Sequence, residues 1–181
     1  MIIILAGGKS SRMGKEKPIL KIAGREMLLW VYERAKMIDE VLIALSKNTP
    51  KTKVLCIKER IPFIETPGEG YVQDIQWLLR EFGPFVSVPA DVPFVKASDF
   101  WLIEKAFNEK TSLTGVLPLS LVPKDLNPVV YKGYAIVGLN AVAEEAERFF
   151  KLSNPLLALN VNTPEELKLA ERVANLIRAP R

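Results

Sequence analysis

The chain has no histidine in its 181 residues. That excludes a Ser-His-Asp triad, an imidazole-ligated zinc and a phosphohistidine intermediate. Cysteine is almost as scarce. Cys56 stands alone, so no internal disulfide forms, and with no imidazole to activate it the thiol reads as a buried helix residue rather than a nucleophile. No apolar run approaches the roughly 20 residues of a membrane span, and the start lacks a basic segment and a small-residue cleavage site. A soluble, cytoplasmic protein without a membrane span is therefore expected. Charge of one sign is not in large excess either: 25 Lys and Arg face 21 Asp and Glu, a net +4. Any chemistry must run without imidazole. Transfer of a nucleotidyl group to a phosphate monoester meets that condition, because such an acceptor, with a second pKa of about 6, is already mostly dianionic at neutral pH and attacks without a general base.

What the chain does have is concentrated at its start. Met1-Ile2-Ile3-Ile4-Leu5 is a short, β-branched apolar run that reads as a buried strand, and Ala6-Gly7-Gly8-Lys9-Ser10-Ser11-Arg12-Met13-Gly14-Lys15-Glu16-Lys17 follows directly. A loop leaving such a strand lies at the carboxyl edge of an open α/β sheet, where ligands bind. Paired glycines let backbone N–H groups approach an anion, Ser10 and Ser11 add hydroxyls, and Arg12 and Lys17 bring fixed positive charge. Two familiar phosphate loops are excluded. Aligned on Gly14-Lys15, a Walker A pattern finds Lys9 where its first glycine belongs and Glu16 where its hydroxyl belongs, and Gly7, Gly8 and Gly14 are wrongly spaced for a dinucleotide fingerprint. Residues 1–25 hold six basic side chains and one acidic, leaving 19 basic against 20 acidic in the remainder. The positive excess is thus focused on the loop, which suits a small polyanion in a cleft better than a nucleic acid.

Strand and helix signals alternate through the first two thirds. Pro18–Ile22 reads as a short extended piece, followed by a helix with Met27, Leu28, Val31, Ala35 and Ile38 on one face. Residues 40–46 form a strand, Thr49-Pro50 starts a helix through Cys56, and 62–65 form a third strand. Gly68 and Gly70 bracket a turn into a helix with the stripe Val72, Ile75, Leu79 and Phe82; a fourth strand covers 85–88 and a helix covers 97–107. This rhythm predicts an α/β fold with a mostly parallel central sheet flanked by helices. It breaks near residue 112. Leu113–Leu119 reads as a strand and Val129–Tyr131 with Tyr134–Val137 as a hairpin, a small β-hairpin excursion around 113–140. Helix is expected again over 141–150, then an extended 156–161. The last helix is capped by Thr163, Pro164 and Glu166. With no repeat or linker, residues 1–181 read as a single domain.

Asp91 follows the fourth strand in Pro89-Ala90-Asp91-Val92-Pro93. A carboxylate at the same sheet edge as a phosphate loop is placed to hold Mg²⁺ against a triphosphate, although an aspartate before a proline also serves plain turns. Together, Leu5-Ala6-Gly7-Gly8-x-Ser10-x-Arg12-Met13-Gly14 with Lys17, then Asp91, then Asn160-Val161-Asn162-Thr163-Pro164-Glu165-Glu166 resemble three marks of one superfamily. It is that of the molybdenum-cofactor guanylyltransferases and sugar-phosphate nucleotidyltransferases, with a Rossmann-like nucleotidyltransferase fold. Ser46–Lys53, Thr66–Tyr71 and 127–140 are similar to the archaeal GTP:adenosylcobinamide-phosphate guanylyltransferase branch, whereas Pro89–Pro93 looks as much like the molybdenum-cofactor branch.

The resemblance implies GTP as nucleotide substrate, held by Leu5, Ala6, Gly7, Gly8, Ser10, Ser11, Arg12, Met13, Gly14 and Lys17. Mg²⁺ is implied at Asp91, with Arg12, Lys17, Asp91 and Asn162 serving catalysis. Thr66, Gly68 and Gly70 are candidates for guanine contacts, or form only the turn that starts a helix. Asn162 is a candidate for the transferring phosphate or metal and Asn160, with Asn140, for the acceptor side, against simple turn and cap chemistry. The implied partners are small molecules, GTP and a corrinoid phosphate, with a molybdopterin or a sugar 1-phosphate as alternative acceptors. A nucleotide-binding module without turnover is the reading from a different class. Trp30, Trp77 and Trp101 read as packing or interface residues, which leaves room for a homodimer.

Overall fold

The computed structural model describes residues 1–178. Strand β1 (Ile2–Leu5) leads through the loop and a 3-10 turn (Lys17–Ile19) to the small antiparallel pair β2 (Lys21–Ile22) and β3 (Arg25–Glu26). Helix α1 (Met27–Ala35), β4 (Val41–Leu45), α2 (Pro50–Glu59), β5 (Phe63–Glu65), α3 (Tyr71–Phe82), β6 (Phe85–Pro89) and α4 (Ala97–Ala106) then alternate. The chain continues through β7 (Thr111–Pro118), β8 (Val130–Tyr131), β9 (Tyr134–Val142), β10 (Glu145–Lys151), a 3-10 turn (Pro155–Ala158) and α5 (Pro164–Arg178). The main sheet runs β10-β7-β9-β6-β1-β4-β5, with β8 added on β9. Pairs β6·β1, β1·β4, β4·β5 and β10·β7 are parallel, while β9 lies antiparallel to β6, β7 and β8.

Strands buried on both faces carry continuous apolar runs, and β1 is the extreme case: Ile2, Ile3 and Ile4 are all fully buried. Ile2 and Ile4 point into the larger core with Leu28 and Val31 of α1, Cys56 of α2 and Phe100 and Ile103 of α4. Ile3 points the other way, with Ala44 and Phe85, against Leu78 of α3. A third cluster joins Ile22, Met27, Trp30, Phe94 and Val161 to Ala170 and Ala174 of α5. Trp30 is a packing residue: its Nε1 donates to the Ile22 carbonyl at 3.1 Å and its ring meets Phe94 edge-on at 5.8 Å.

The α/β class and the helix-flanked, mostly parallel sheet are as expected, and a small hairpin exists. Its arms are β8 and the first residues of β9, and β7 and β9 are full members of the main sheet. One element is overturned. Residues 141–150, rich in alanine and glutamate, do not form a helix: β9 runs on to Val142 and Glu145–Lys151 pairs with β7, Phe149 opposite Thr114 and Phe150 opposite Gly115. The adjacent aromatics decide it. Phe150 packs on the main core while Phe149 meets Tyr131 and Tyr134 on the opposite face, a division that a strand supplies and a helix does not. Smaller departures occur at 17–19 and 155–158, where 3-10 turns replace extended chain. The cap of α5 forms as expected: the Glu166 carboxylate accepts the Asn162 and Thr163 N–H groups at 2.7 and 2.9 Å, and Thr163 Oγ1 accepts the Glu166 N–H at 3.2 Å.

Candidate active site

The opening loop is shaped by contacts far away in sequence. The Ala6 N–H still pairs with the Ala44 carbonyl at 2.8 Å, and at Gly7 the chain turns closely over the end of β4. A Cβ on Gly7 would lie 3.1 Å from that of Ser46, whose hydroxyl donates to the Gly7 carbonyl at 2.6 Å. Asn48 Nδ2 donates to the same hydroxyl at 3.0 Å. Ser10 takes a left-handed φ of 49°, unusual for a side chain with a Cβ, and its Oγ accepts the Lys17 N–H at 3.1 Å. The loop thereby folds back and brings Lys17 beside its own start. Glu16, next to it, accepts the N–H groups of Lys51 and Thr52 at 2.9 and 2.7 Å, capping the exposed donors of α2. Thr49 sits at the expected cap position, but its hydroxyl is engaged with Ser46 instead.

Lys17 then joins three parts of the chain. Its Nζ pairs with Asp91 Oδ2, just past β6, and donates to Asn162 Oδ1 at 2.8 Å, just before α5. The two side chains are only 17% and 13% exposed. The Val161 N–H donates to the Asp91 carbonyl at 2.9 Å, locking the segment before α5 onto the turn after β6. Two acceptors there are left over: Asp91 Oδ1 and Asn160 Oδ1 are buried and have no hydrogen-bond partner among the described residues.

Between the loop and the N-terminus of α3 lies a cleft of about 410 Å³, within the range of small-ligand sites. Leu5 to Ser10, Lys17 and Asp91 line one side and Thr66, Gly68 and Gly70 the other. Gly68 has φ +70° and a Cβ there would sit 3.1 Å from that of Ser46, so the turn approaches β4 as closely as Gly7 does. Asp74 Oδ1 accepts the Gly68 N–H at 2.9 Å, fixing this turn from the first turn of α3. The Thr66 hydroxyl donates to the Leu45 carbonyl at 3.0 Å, so it holds the wall of the cleft.

Other expected residues lie apart. Ser11, Arg12, Met13 and Gly14 form the outer turn of the loop and do not line the cleft; Arg12 is exposed, with no hydrogen bond or ion pair among the described residues. Asn140 sits on β9, where its Oδ1 accepts the Gly115 N–H at 3.2 Å. Tyr71 nearby is largely exposed as a residue; burial around its hydroxyl raises the phenol's pKa, the Asn140 carboxamide lowers it and the Glu147 carboxylate raises it further. Ser46, Asn48, Glu16 and Asp74 received no site assignment from sequence. The available signal was position: Ser46 and Asn48 follow the carboxyl end of a central strand, the edge where ligands bind.

The chain, a mostly parallel sheet with a glycine loop and a lysine–carboxylate–carboxamide group at its carboxyl edge, has the fold of nucleotidyltransferases. It is similar to molybdopterin-guanine dinucleotide biosynthesis protein A from Archaeoglobus fulgidus, with a TM-score of 0.71 and 20% identity, covering 97% of this chain and 98% of that one. In sequence, residues 2–150 match the MobA-like NTP transferase domain. The adenosylcobinamide-phosphate guanylyltransferase of Methanocaldococcus jannaschii is 30% identical over 191 residues, spanning 93% of this chain and 94% of the relative. A molybdenum cofactor guanylyltransferase of Cereibacter sphaeroides is 28% identical over 186 residues, spanning 93% and 94%. The chain belongs to the MobA-like NTP transferase family. Among the described residues no helix is long and apolar enough to cross a membrane.

Proposed function

We propose that this protein is a cytoplasmic guanylyltransferase that moves GMP from GTP to a phosphate-monoester acceptor, adenosylcobinamide phosphate, forming adenosylcobinamide-GDP in cobalamin biosynthesis. The observation that carries the reading is the convergence of Lys17, Asp91 and Asn162 at the mouth of the cleft framed by Gly7 and Gly8. The choice of acceptor is supported by the M. jannaschii relative, which matches across nearly the whole chain.

The backbone N–H groups of the loop cradle the triphosphate, and Lys17 moves from Asp91 to the α-phosphate, joined by Arg12 as the outer turn closes. A phosphate oxygen of the acceptor attacks the α-phosphorus, the bond from that phosphorus to the bridging β-phosphate oxygen breaks, and pyrophosphate leaves with the electron pair. No proton has to be moved, in keeping with a chain that lacks histidine. The residues fit Mg²⁺. Asp91 Oδ1 and Asn160 Oδ1 are buried oxygen acceptors without partners, and Mg²⁺ takes one or two carboxylates with phosphate oxygens and water. Bound by Asp91 and Asn160, it would neutralise charge on the triphosphate and on the departing pyrophosphate. Asn162, released by Lys17, then faces the transferring group, and Gly68 and Gly70 bring backbone groups to the guanine.

Pyrophosphate release from GTP and Mg²⁺ tests the reading. Release that depends on adenosylcobinamide phosphate is expected. Release with molybdopterin or a sugar 1-phosphate instead would transfer the assignment to those acceptors, and tight GTP binding without release under any acceptor would make the chain a binding module.

A further inference from the structure

Antiparallel pairing between β9 and β6 begins at Ser87 opposite Asn140, so the earlier residues of β9 project beyond the carboxyl end of β6. Gly138 backs onto Pro89 so closely that a Cβ would lie 2.9 Å from the proline ring, and Pro89 is two residues from Asp91. Along β9 alternate residues share a face, which puts Ile136 and Tyr134 on the side of Gly138. At about 3.3 Å per residue, and with a register irregularity in this stretch, Tyr134 stands at most about 13 Å from Gly138. There it meets the Phe149 ring at 5.8 Å, and Tyr131 meets the same ring at 6.0 Å, both edge-on. Lys151 Nζ lies 5.3 Å from the Tyr134 ring and Lys132 Nζ 5.2 Å from the Tyr131 ring. Tyr131 is 52% exposed and its neighbours Val129 and Val130 are 73% and 53% exposed. An apolar, aromatic patch left exposed marks a binding surface.

We infer that Tyr131, Tyr134 and Phe149, flanked by Lys132 and Lys151, form a platform for the large ring-bearing body of the phosphate acceptor. The inference rests on the transfer reading above and deepens it. Continuity selects the occupant: the platform shares a strand and a face with the residue that backs the catalytic turn, so an acceptor whose phosphate lies at Asp91 passes over Gly138 on its way there. Length narrows it further. From Gly138 the platform lies up to about 13 Å further along β9, a length that a single sugar ring does not cover and a phosphorylated macrocycle does. Aromatic rings take a flat conjugated body, and the lysine amines donate to its peripheral carbonyl or carboxylate groups.

Isothermal titration with adenosylcobinamide phosphate is the decisive measurement, on the wild type and on Tyr131→Ala, Tyr131→Phe and Lys151→Gln. Tyr131→Ala should weaken binding about tenfold and Lys151→Gln severalfold, with Tyr131→Phe close to wild type and GTP affinity unchanged in all three. Equal affinity of Tyr131→Ala and wild type, or no binding to the wild type, overturns the inference. So does a loss of self-association in Tyr131→Ala by light scattering without any change in acceptor affinity, because the patch would then serve a second copy of the chain. Binding that follows this pattern without pyrophosphate release would sink the transfer reading and leave the platform standing.

Discussion

In the proposed mechanism Lys17 holds the position that the metal ion would take. Its ammonium is bonded to Asp91 Oδ2 and Asn162 Oδ1, in a spot where the two charged side chains are 17% and 13% exposed. Replacing it with methionine keeps the stem and removes the cation, leaving Asp91 with neither oxygen paired, since Oδ1 already lacks a partner. Removing one member of a fully buried ion pair costs about 3–5 kcal/mol, and the remaining solvent contact here brings that to about 2–3 kcal/mol. In a domain of this size each kcal/mol moves the melting point by about 2–4 °C, so Lys17→Met should melt roughly 4–12 °C lower in chelator. Mg²⁺ or Mn²⁺ should restore most of the loss. Without nucleotide, Mn²⁺ should bind the variant about tenfold tighter than the wild type, because no amine worth about 1.4 kcal/mol must be displaced. GTP should narrow that gap by drawing the wild-type amine onto the triphosphate. Turnover should fall about a hundredfold or more, the typical effect of losing a fixed donor at a transferring group. Calorimetric melts with and without metal, and Mn²⁺ titration followed by electron paramagnetic resonance, provide the readouts. A variant that melts like the wild type and binds Mn²⁺ no better would refute the idea that Lys17 and the metal compete for Asp91.

Asp91→Asn should raise the Mg²⁺ concentration needed for half-maximal turnover by about tenfold or more, and an unchanged Mg²⁺ titration would place the metal elsewhere. Glu16→Ala removes the cap of α2 and should cost about 1–2 kcal/mol in denaturant unfolding while raising the KM for GTP, since the same carboxylate ties the loop to α2. The Cys56 thiol is fully buried, and desolvation pushes its pKa from 9.0 to about 11. The folded state therefore keeps a proton that the unfolded chain gives up: this contribution is intact below pH 9, is lost as pH rises through 11, and amounts to about 2–3 kcal/mol across that window. Denaturation midpoints taken between pH 8 and 10.5 should fall accordingly, and a thiol reagent at pH 8 should label Cys56 only on unfolding. Gly115→Ala places a Cβ 2.1 Å from the Leu139 carbonyl oxygen, where backbone must yield, and should cost about 3 kcal/mol or more, read from soluble yield and urea unfolding.

The parts of the fold that could be read from sequence were those specified locally. Strand β1 is a short run buried on both faces, α5 carries its own capping box, and the glycine loop lies in one unbroken stretch. The segment 141–150 was misread because its alanines and glutamates favour a helix, whereas its fate is set by β7, some 30 residues earlier, which offers an open edge for Phe149 and Phe150. Helix propensity amounts to tenths of a kcal/mol per residue, less than pairing an edge and burying an aromatic on each side.

The candidate site divides in the same way. Lys17 and Asp91 stood out because each follows an apolar strand at the same sheet edge, and Asn162 through the family resemblance, although 74 and 145 residues separate Lys17 from its two partners. Ser46, Asn48, Glu16 and Asp74 did not stand out. Their work is to hold other backbone: Ser46 the Gly7 carbonyl, Glu16 the free N–H groups of α2, Asp74 the Gly68 N–H. A serine after a strand or an aspartate in a first helical turn is ordinary in sequence, and only the closeness of Gly7 and Gly68 to the same Ser46, where a Cβ added at either would lie 3.1 Å from the serine's own, reveals that one side chain spaces both walls of the cleft. The width of the cleft is therefore set by Ser46, so if GTP binds there as proposed, enlarging it to threonine should weaken GTP binding more than it lowers stability, a split that titration and melting measured on the same sample resolve.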